Sequence, residues 1–189
     1  MSLSEATATA DDQVTEAGEG RPVLVVGMGF AGSAAFAALA RRFRIYAMSP
    51  GADAGAWIAS QGFDKLGVVG IGDAAGPALA AAAAAGDAVN ALVLVSPVGL
   101  PLGDAEGPLK PLLKSIAAAK CVLIGDHDPA AGNLAAFKTE LSRSSVVLVF
   151  DAGADVAGER PEAFASAAGD FLDRQARFSF ITDSVAVSA

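Results

Sequence analysis

From Arg21 onward the chain alternates between two hydrophobic patterns. Residues 22–27, 44–48, 66–71, 91–95, 121–125 and 146–150 are short, β-branched and almost continuously apolar, the pattern of strands covered on both faces. The segments between them, about 10 to 20 residues each, are long enough for the crossover helix that a parallel connection requires. Their periodicity predicts helices at 32–42, 54–61, 74–88, 108–119, 132–143 and 161–177, with Pro108 and Pro161 as first-turn residues. Residues 21–177 are therefore expected to form one α/β domain of three layers, with a doubly wound, mostly parallel sheet of about six strands.

The flanks carry no such pattern. Residues 1–20 are small, polar and acidic, and are expected to be a disordered tail. Residues 178–189 read either as a tail or as an added edge strand, and the sequence leaves both open.

Composition, charge and the absence of several motifs sharpen this picture. An apolar share of 53% with an aromatic share of only 6% points to an interior of Ala, Val and Leu with closely packed layers, and the alanine run at 80–85 suits a helix lying tight on the sheet. The net charge is −8, but Glu5, Asp11, Asp12, Glu16 and Glu19 precede the first basic residue, leaving −3 for the rest. No Lys/Arg stripe with interleaved aromatics is present, which argues against a nucleic-acid partner. The single cysteine, Cys121, lies in an apolar run and reads as a buried thiol, which fits a reducing compartment. With no signal-like start and no apolar stretch long enough to span a bilayer, a cytoplasmic location and no membrane partner are expected. Zinc-ligand spacing and a phosphate-loop motif are also absent, so no metal and no cofactor are expected from those signals.

Ligands of doubly wound sheets bind beyond the carboxyl ends of the strands. The chemistry should therefore lie in the loops 28–33, 49–53, 72–76, 96–103, 126–129 and 151–159, which share one rim. The first of these contains Gly27-Met28-Gly29-Phe30-Ala31-Gly32, a G-x-G-x-x-G between strand and helix. An NAD(P)-binding reading also wants a carboxylate at the end of the second strand, where the chain has Met48-Ser49-Pro50 and no acid before Asp53. The plain alternative is that these glycines only permit tight packing.

Taken with Tyr46-Ala47-Met48-Ser49-Pro50-Gly51, the loop Met28-Gly29-Phe30-Ala31-Gly32-Ser33 resembles the oxyanion loop and the following turn of the α/β-hydrolase superfamily. The resemblance continues in family order. Val68-Val69-Gly70-Ile71-Gly72-Asp73-Ala74 is similar to the nucleophile elbow, Gly125-Asp126-His127-Asp128-Pro129 to the acid-bearing turn, and Asp151-Ala152-Gly153-Ala154 with Glu159-Arg160-Pro161 to the histidine turn and closing helix. It covers about 21–174, and implies an oxyanion or ligand-binding rim at Gly29, Phe30, Gly72, Asp73 and Ala154, with Asp128 at the position of the triad acid.

The departures bear on function. With Gly70 as the first glycine of G-x-S-x-G, the nucleophile position is Gly72 and offers no attacking atom; shifting by one puts Asp73 there, flanked by Ile71 and Ala75 instead of glycines. Counting back from Glu159-Arg160-Pro161, the family's histidine position falls on Ala154. The only histidine, His127, reads as a loop residue between two aspartates. Asp73, Asp128 and Asp155 on one rim raise a carboxylate-only alternative, while the plain reading is that such acids cap helices. The reduced lid, 97–107, presents Val98, Leu100 and Leu102 as an open apolar surface for a second subunit or another protein.

Three readings follow. The first is a non-catalytic α/β-hydrolase-like protein that binds a small ligand or a protein at the rim, with the backbone amides of Phe30 and Asp73 keeping an anion notch. The second is a hydrolase of a small ester or halide with Asp73 and Asp128 as its catalytic residues. The third is an NAD(P)-binding module at Gly27 to Gly32.

Overall fold

The computed structural model describes residues 14–141, 144–174 and 185–188. Strand β1 (Val14–Ala17) is followed by β2 (Pro22–Val26), α1 (Ala34–Ala40), β3 (Arg44–Met48), α2 (Ala54–Gln61) and β4 (Leu66–Ile71). Then come α3 (Ala75–Ala85), β5 (Val89–Val95), α4 (Lys110–Ser115), β6 (Ala119–Gly125), α5 (Leu134–Glu140), β7 (Ser144–Val149), α6 (Val156–Glu159), α7 (Pro161–Arg174) and β8 (Val185–Ser188). The strands form one sheet in the order β1-β3-β2-β4-β5-β6-β7-β8. All six strands expected from the sequence are present and mutually parallel, and β1 and β8 add antiparallel edges.

Alternation along each strand sends apolar side chains to both faces. Val23 and Val25, Ala91, Val93 and Val95, and Cys121 and Leu123 pack under α1, α6 and α7. Leu24 and Val26, Leu92 and Leu94, and Val122 and Ile124 pack under α2, α3, α4 and α5. Two-sided burial is why these strands read as continuous apolar runs. Small residues set the spacing of the layers. A Cβ on Gly70 of β4 would lie 2.5 Å from the Ala78 Cβ and 3.0 Å from the Ala75 Cα, so α3 rests directly on that strand.

Several expectations are revised. Residues 14–17 are not part of a structureless tail; they pair with β3 from Val14 opposite Met48 to Ala17 opposite Ile45. Glu16 accepts a 2.6 Å hydrogen bond from Arg44 Nε, which fastens the edge and raises the Arg44 pKa. An acidic segment can form an edge strand because backbone pairing to a neighbour, not burial, supplies most of its support. Residues 1–13 lie outside the described residues. At the other end, 185–188 is the edge strand alternative, with Val185 opposite Val149; 175–184, including the expected last turn of the helix at 161–177, and 189 lie outside the described residues.

Helix α4 is shorter than expected and starts at Lys110, with Pro111 rather than Pro108 in its first turn. It ends because Ile116 turns extended and the buried Lys120 ammonium donates to the Ile116 and Ala118 carbonyls at 2.7 and 3.1 Å, drawing 119–120 into β6. Helix α5 is also trimmed, to 134–140. No helix among the described residues is long and apolar enough to cross a membrane.

Two measurements check this packing. Because α3 leaves no room at Gly70, Gly70→Val is expected to lower unfolding stability by about 3 kcal/mol. Gly72→Ala, where no atom lies within 4 Å, carries only the strain of a positive φ, about 1 kcal/mol. Urea midpoints decide, and equal losses would contradict the close approach of α3. Cys121 is fully buried, and burial pushes its thiol far above the ordinary value. It stays protonated at pH 8, so a disulfide reagent is expected to label it only in denaturant. Stoichiometric labelling of the folded protein would contradict that burial.

Candidate functional site

The sheet order gives the first clue to the site. The chain leaves β2 toward β3 on one side and leaves β4 toward β5 on the other, so the loops after β2 and β4 part and open a crevice between them. Gly29 and Phe30 lie on one side of this switch point, and Gly72 and Asp73 on the other. Gly27 keeps the strand ends close, since a Cβ there would sit 3.1 Å from the Ile71 Cβ.

The β4 loop turns sharply from strand to helix. Ile71 is extended, Gly72 has φ +61°, and the one-turn 3₁₀ segment Gly72–Ala74 leads into α3. Gly70 is where α3 demands a hydrogen atom, Gly72 is where the backbone demands a left-handed conformation, and Ala74 is fully buried. The left-handed position is thus Gly72 and not Asp73, which follows it with an exposed carboxylate. A Cβ on Gly72 would point into open space. The turn is steadied from the β5 loop, where the Val98 amide donates to the Gly72 carbonyl at 3.1 Å.

In the β2 loop the side chain and backbone of Phe30 divide their roles. The ring is buried, edge-on to Phe36 and Phe164 at 5.9 and 6.0 Å, and so anchors the loop in the core. Gly29 and Gly32 take φ +65° and +77° with no atom within 4 Å of a Cβ. The open position of Gly32 counts against the dinucleotide reading, in which the third glycine serves close helix–strand packing. Asp53, the nearest carboxylate after β3, accepts from the Ala56 amide at 2.9 Å and caps α2.

At the ends of β6 and β7 two turns lock together. A Cβ on Gly125 would lie 2.2 Å from the Ala152 and Gly153 carbonyl oxygens. The Ala152 amide donates to Asp126 Oδ1 at 3.2 Å, and the His127 amide donates to the Ala152 carbonyl at 2.9 Å. Asp128 is buried; its Oδ1 accepts from the Ala130 amide at 2.8 Å, capping the 3₁₀ turn Pro129–Asn133. Ala154 is exposed at the tip of the β7 loop, and Asp155 caps α6 by accepting from the Gly158 amide at 2.9 Å. Asp128 and Asp155 therefore both cap helical turns, as the plain reading expected.

The His127 side chain is 71% exposed, with Nε2 3.9 Å from Asp126 Oδ2, and no ion pair joins it to Asp73 among the described residues. Nor are Asp73, Asp128 and Asp155 gathered there into a group able to hold a cation. The six rim loops carry seven carboxylates and no Lys or Arg, although Arg160 at their border reaches Asp151 at 3.3 Å.

Sequence reasoning missed Ser96. This residue, just past β5, is buried with φ +41°, and its Oγ has no hydrogen-bond partner among the described residues. Asp128 Oδ2, past the adjacent strand β6, is in the same condition. A positive φ at a buried serine is a strained feature, and the only sequence signal for it was Ser96-Pro97 at a strand end. The expected apolar lid surface is also smaller than its sequence suggested. Leu100 and Leu102 pack against the core, while Val98 stays 61% exposed, with Met28 and Phe150 the other exposed large hydrophobics on the rim.

No family model matches the sequence, and no curated relative does. Solved structures do match. A serine hydrolase involved in carbazole degradation superposes with TM-score 0.68 at 20% identity, over 85% of this chain and 93% of that one. An alpha/beta hydrolase enzyme from the sediment metagenome of the Mar Chica lagoon gives 0.66 at 16% identity, over 85% and 94%. A bromoperoxidase from Bacillus anthracis gives 0.70 at 12% identity, over 85% and 94%. The sheet order, the parallel core and these superpositions agree: this chain has the α/β-hydrolase fold.

Proposed function

We propose that this protein uses the α/β-hydrolase frame for binding at the strand carboxyl rim and does not carry out triad hydrolysis. The observation that carries the reading is Gly72: the turn has its left-handed backbone and open space above it, but no side chain to attack a substrate. Acyl transfer by this fold needs a nucleophilic atom and an imidazole to move its proton. At the second position stands Ala154, while His127 sits with Asp126 on the exposed face of another turn.

The rim is suited to contact. Met28, Val98 and Phe150 supply apolar area on three separate loops. Around them the carboxylates favour a partner that is neutral or basic where it touches the rim, and they work against an anion held by the Phe30 and Asp73 amides. The binding surface in this reading comprises Gly29, Phe30, Gly72, Asp73 and Ala154, and its occupant is a small ligand or a protein.

A second reading rests on the exposed Asp73 carboxylate beside the elbow. Attack by Asp73 on a halide would displace halide ion and leave an alkyl ester, and attack on a small ester would release its alcohol and leave a shorter-lived mixed anhydride, in both cases with no imidazole to direct water at the adduct. Intact mass after incubation with such substrates would then show an adduct removed by Asp73→Asn, and an unshifted mass across the panel argues against this chemistry.

Two predictions follow from the main reading. Against a panel of p-nitrophenyl esters the protein is expected to show no turnover above the buffer rate, unchanged in Asp73→Ala and Asp128→Ala; turnover abolished by either substitution would overturn it. Gly72→Ser combined with Ala154→His returns the two missing groups to a turn that has kept its shape. That double variant is expected to hydrolyse the same esters about 10²-fold faster than either single variant, and no gain with the fold intact by circular dichroism would show that these positions do not face each other.

A further inference from the structure

The end of the sheet away from the rim holds a cleft that the rim reading does not use. It has a volume of about 340 Å³ and opens at the amino ends of β2, β4 and β5, beside the last turns of α7. That size falls within the range of small-molecule sites. Its apolar wall is made by Val23, Phe43, Phe63 and Leu172. Leu172 Cδ2 fills the space a Gly67 side chain would need, 2.6 Å from the Cβ position, which brings the leucine onto the sheet as the floor.

One polar group interrupts this wall. Between β4 and β5 the register jumps from Leu66 opposite Val89 to Gly67 opposite Ala91, so Asn90 is the extra residue of a β-bulge. Bulges release a residue from the ladder and re-aim its side chain. Asn90 lines the cleft, is half-buried, and its carboxamide makes no hydrogen bond among the described residues. A half-buried carboxamide with its donor and acceptor both unused is matched by a ligand offering the complementary pair.

The charges at the mouth, Arg21 and Lys65 against Asp64 and Asp173, sum to zero. Arg21 pairs with Asp173 and lies 5.7 Å above the Phe43 ring, and Lys65 donates to the Asp87 carbonyl next to the exposed Asp64. Neither sign of charge is in demand. We infer that this cleft is a second binding site, independent of the rim, for a small neutral planar ring with an adjacent donor and acceptor on one edge, as in a lactam or an amino-substituted heteroaromatic. The ring packs against the half-buried Phe63 side of the apolar wall, and the edge pairs with Asn90.

Trp57, the only tryptophan, lies 5.7 Å from the Phe63 ring and can report occupancy. The test uses the full chain, with 2-pyridone and toluene as probes, followed by Trp57 fluorescence and by amide and side-chain NMR shifts. Titration with 2-pyridone is expected to saturate, shift the Asn90 side-chain amide and the Lys65 and Gly67 backbone signals, and weaken about tenfold in Asn90→Leu. Toluene binding is expected to be no weaker in that variant. Asn90→Leu removes the unpaired carboxamide at similar volume, and its melting temperature, measured alongside, is expected to match the parent; Asn90→Asp keeps only the acceptors and covers the case in which the leucine variant does not fold. No cleft shifts with 2-pyridone, or equal affinity for 2-pyridone in parent and variant, would overturn the inference. Gly72→Ser with Ala154→His should leave the titration unchanged, so failure here and failure of the rim reading are separable.

Discussion

The approach of α3 to β4 is the constraint on which this molecule turns. Only a hydrogen atom fits between Gly70 and Ala78, so the helix must begin almost at the strand end and lie flat against it. A chain that leaves β4 and enters α3 within one short turn has to reverse through a left-handed residue, and Gly72 provides it. The rim geometry follows from that turn: the elbow projects beside the switch point, the β5 loop bonds to its carbonyl, and the Phe30 ring pins the facing loop from below. None of this scaffold depends on what side chain the elbow carries. The frame is therefore separable from any chemistry at the rim.

The polar contacts of the rim point the same way. Asp53, Asp128 and Asp155 each accept from a backbone amide at the start of a helical turn, and Glu159 accepts from the Gly153 amide at 2.9 Å. These carboxylates hold loops in place. Asp73 is left exposed, and Asp128 Oδ2 and Ser96 Oγ are buried without partners among the described residues, which places unspent hydrogen-bonding capacity at the carboxyl ends of β4, β5 and β6.

How much of this was legible in the sequence depended on what fixes each feature. The six parallel strands were readable because burial on both faces leaves a continuous apolar run. The elbow was readable because close packing and a left-handed turn each demand glycine at a fixed spacing, here Gly70 and Gly72. Strand β1 was hidden by its acidity, since an edge strand is held by its neighbour's backbone and here by Arg44 reaching Glu16. The end of α4 was hidden because it is set by a buried lysine from the next strand. The strained Ser96 and the bulge at Asn90 come from the register between elements, which no local pattern records.

The proposed reading requires that the elbow project no nucleophile and that no other hydroxyl take its place. It is tested most directly by intact-mass measurement after exposure to a fluorophosphonate, a reagent that traps activated serines. The protein is expected to remain unmodified after prolonged incubation. A stoichiometric adduct on Ser33 or Ser96 would contradict it.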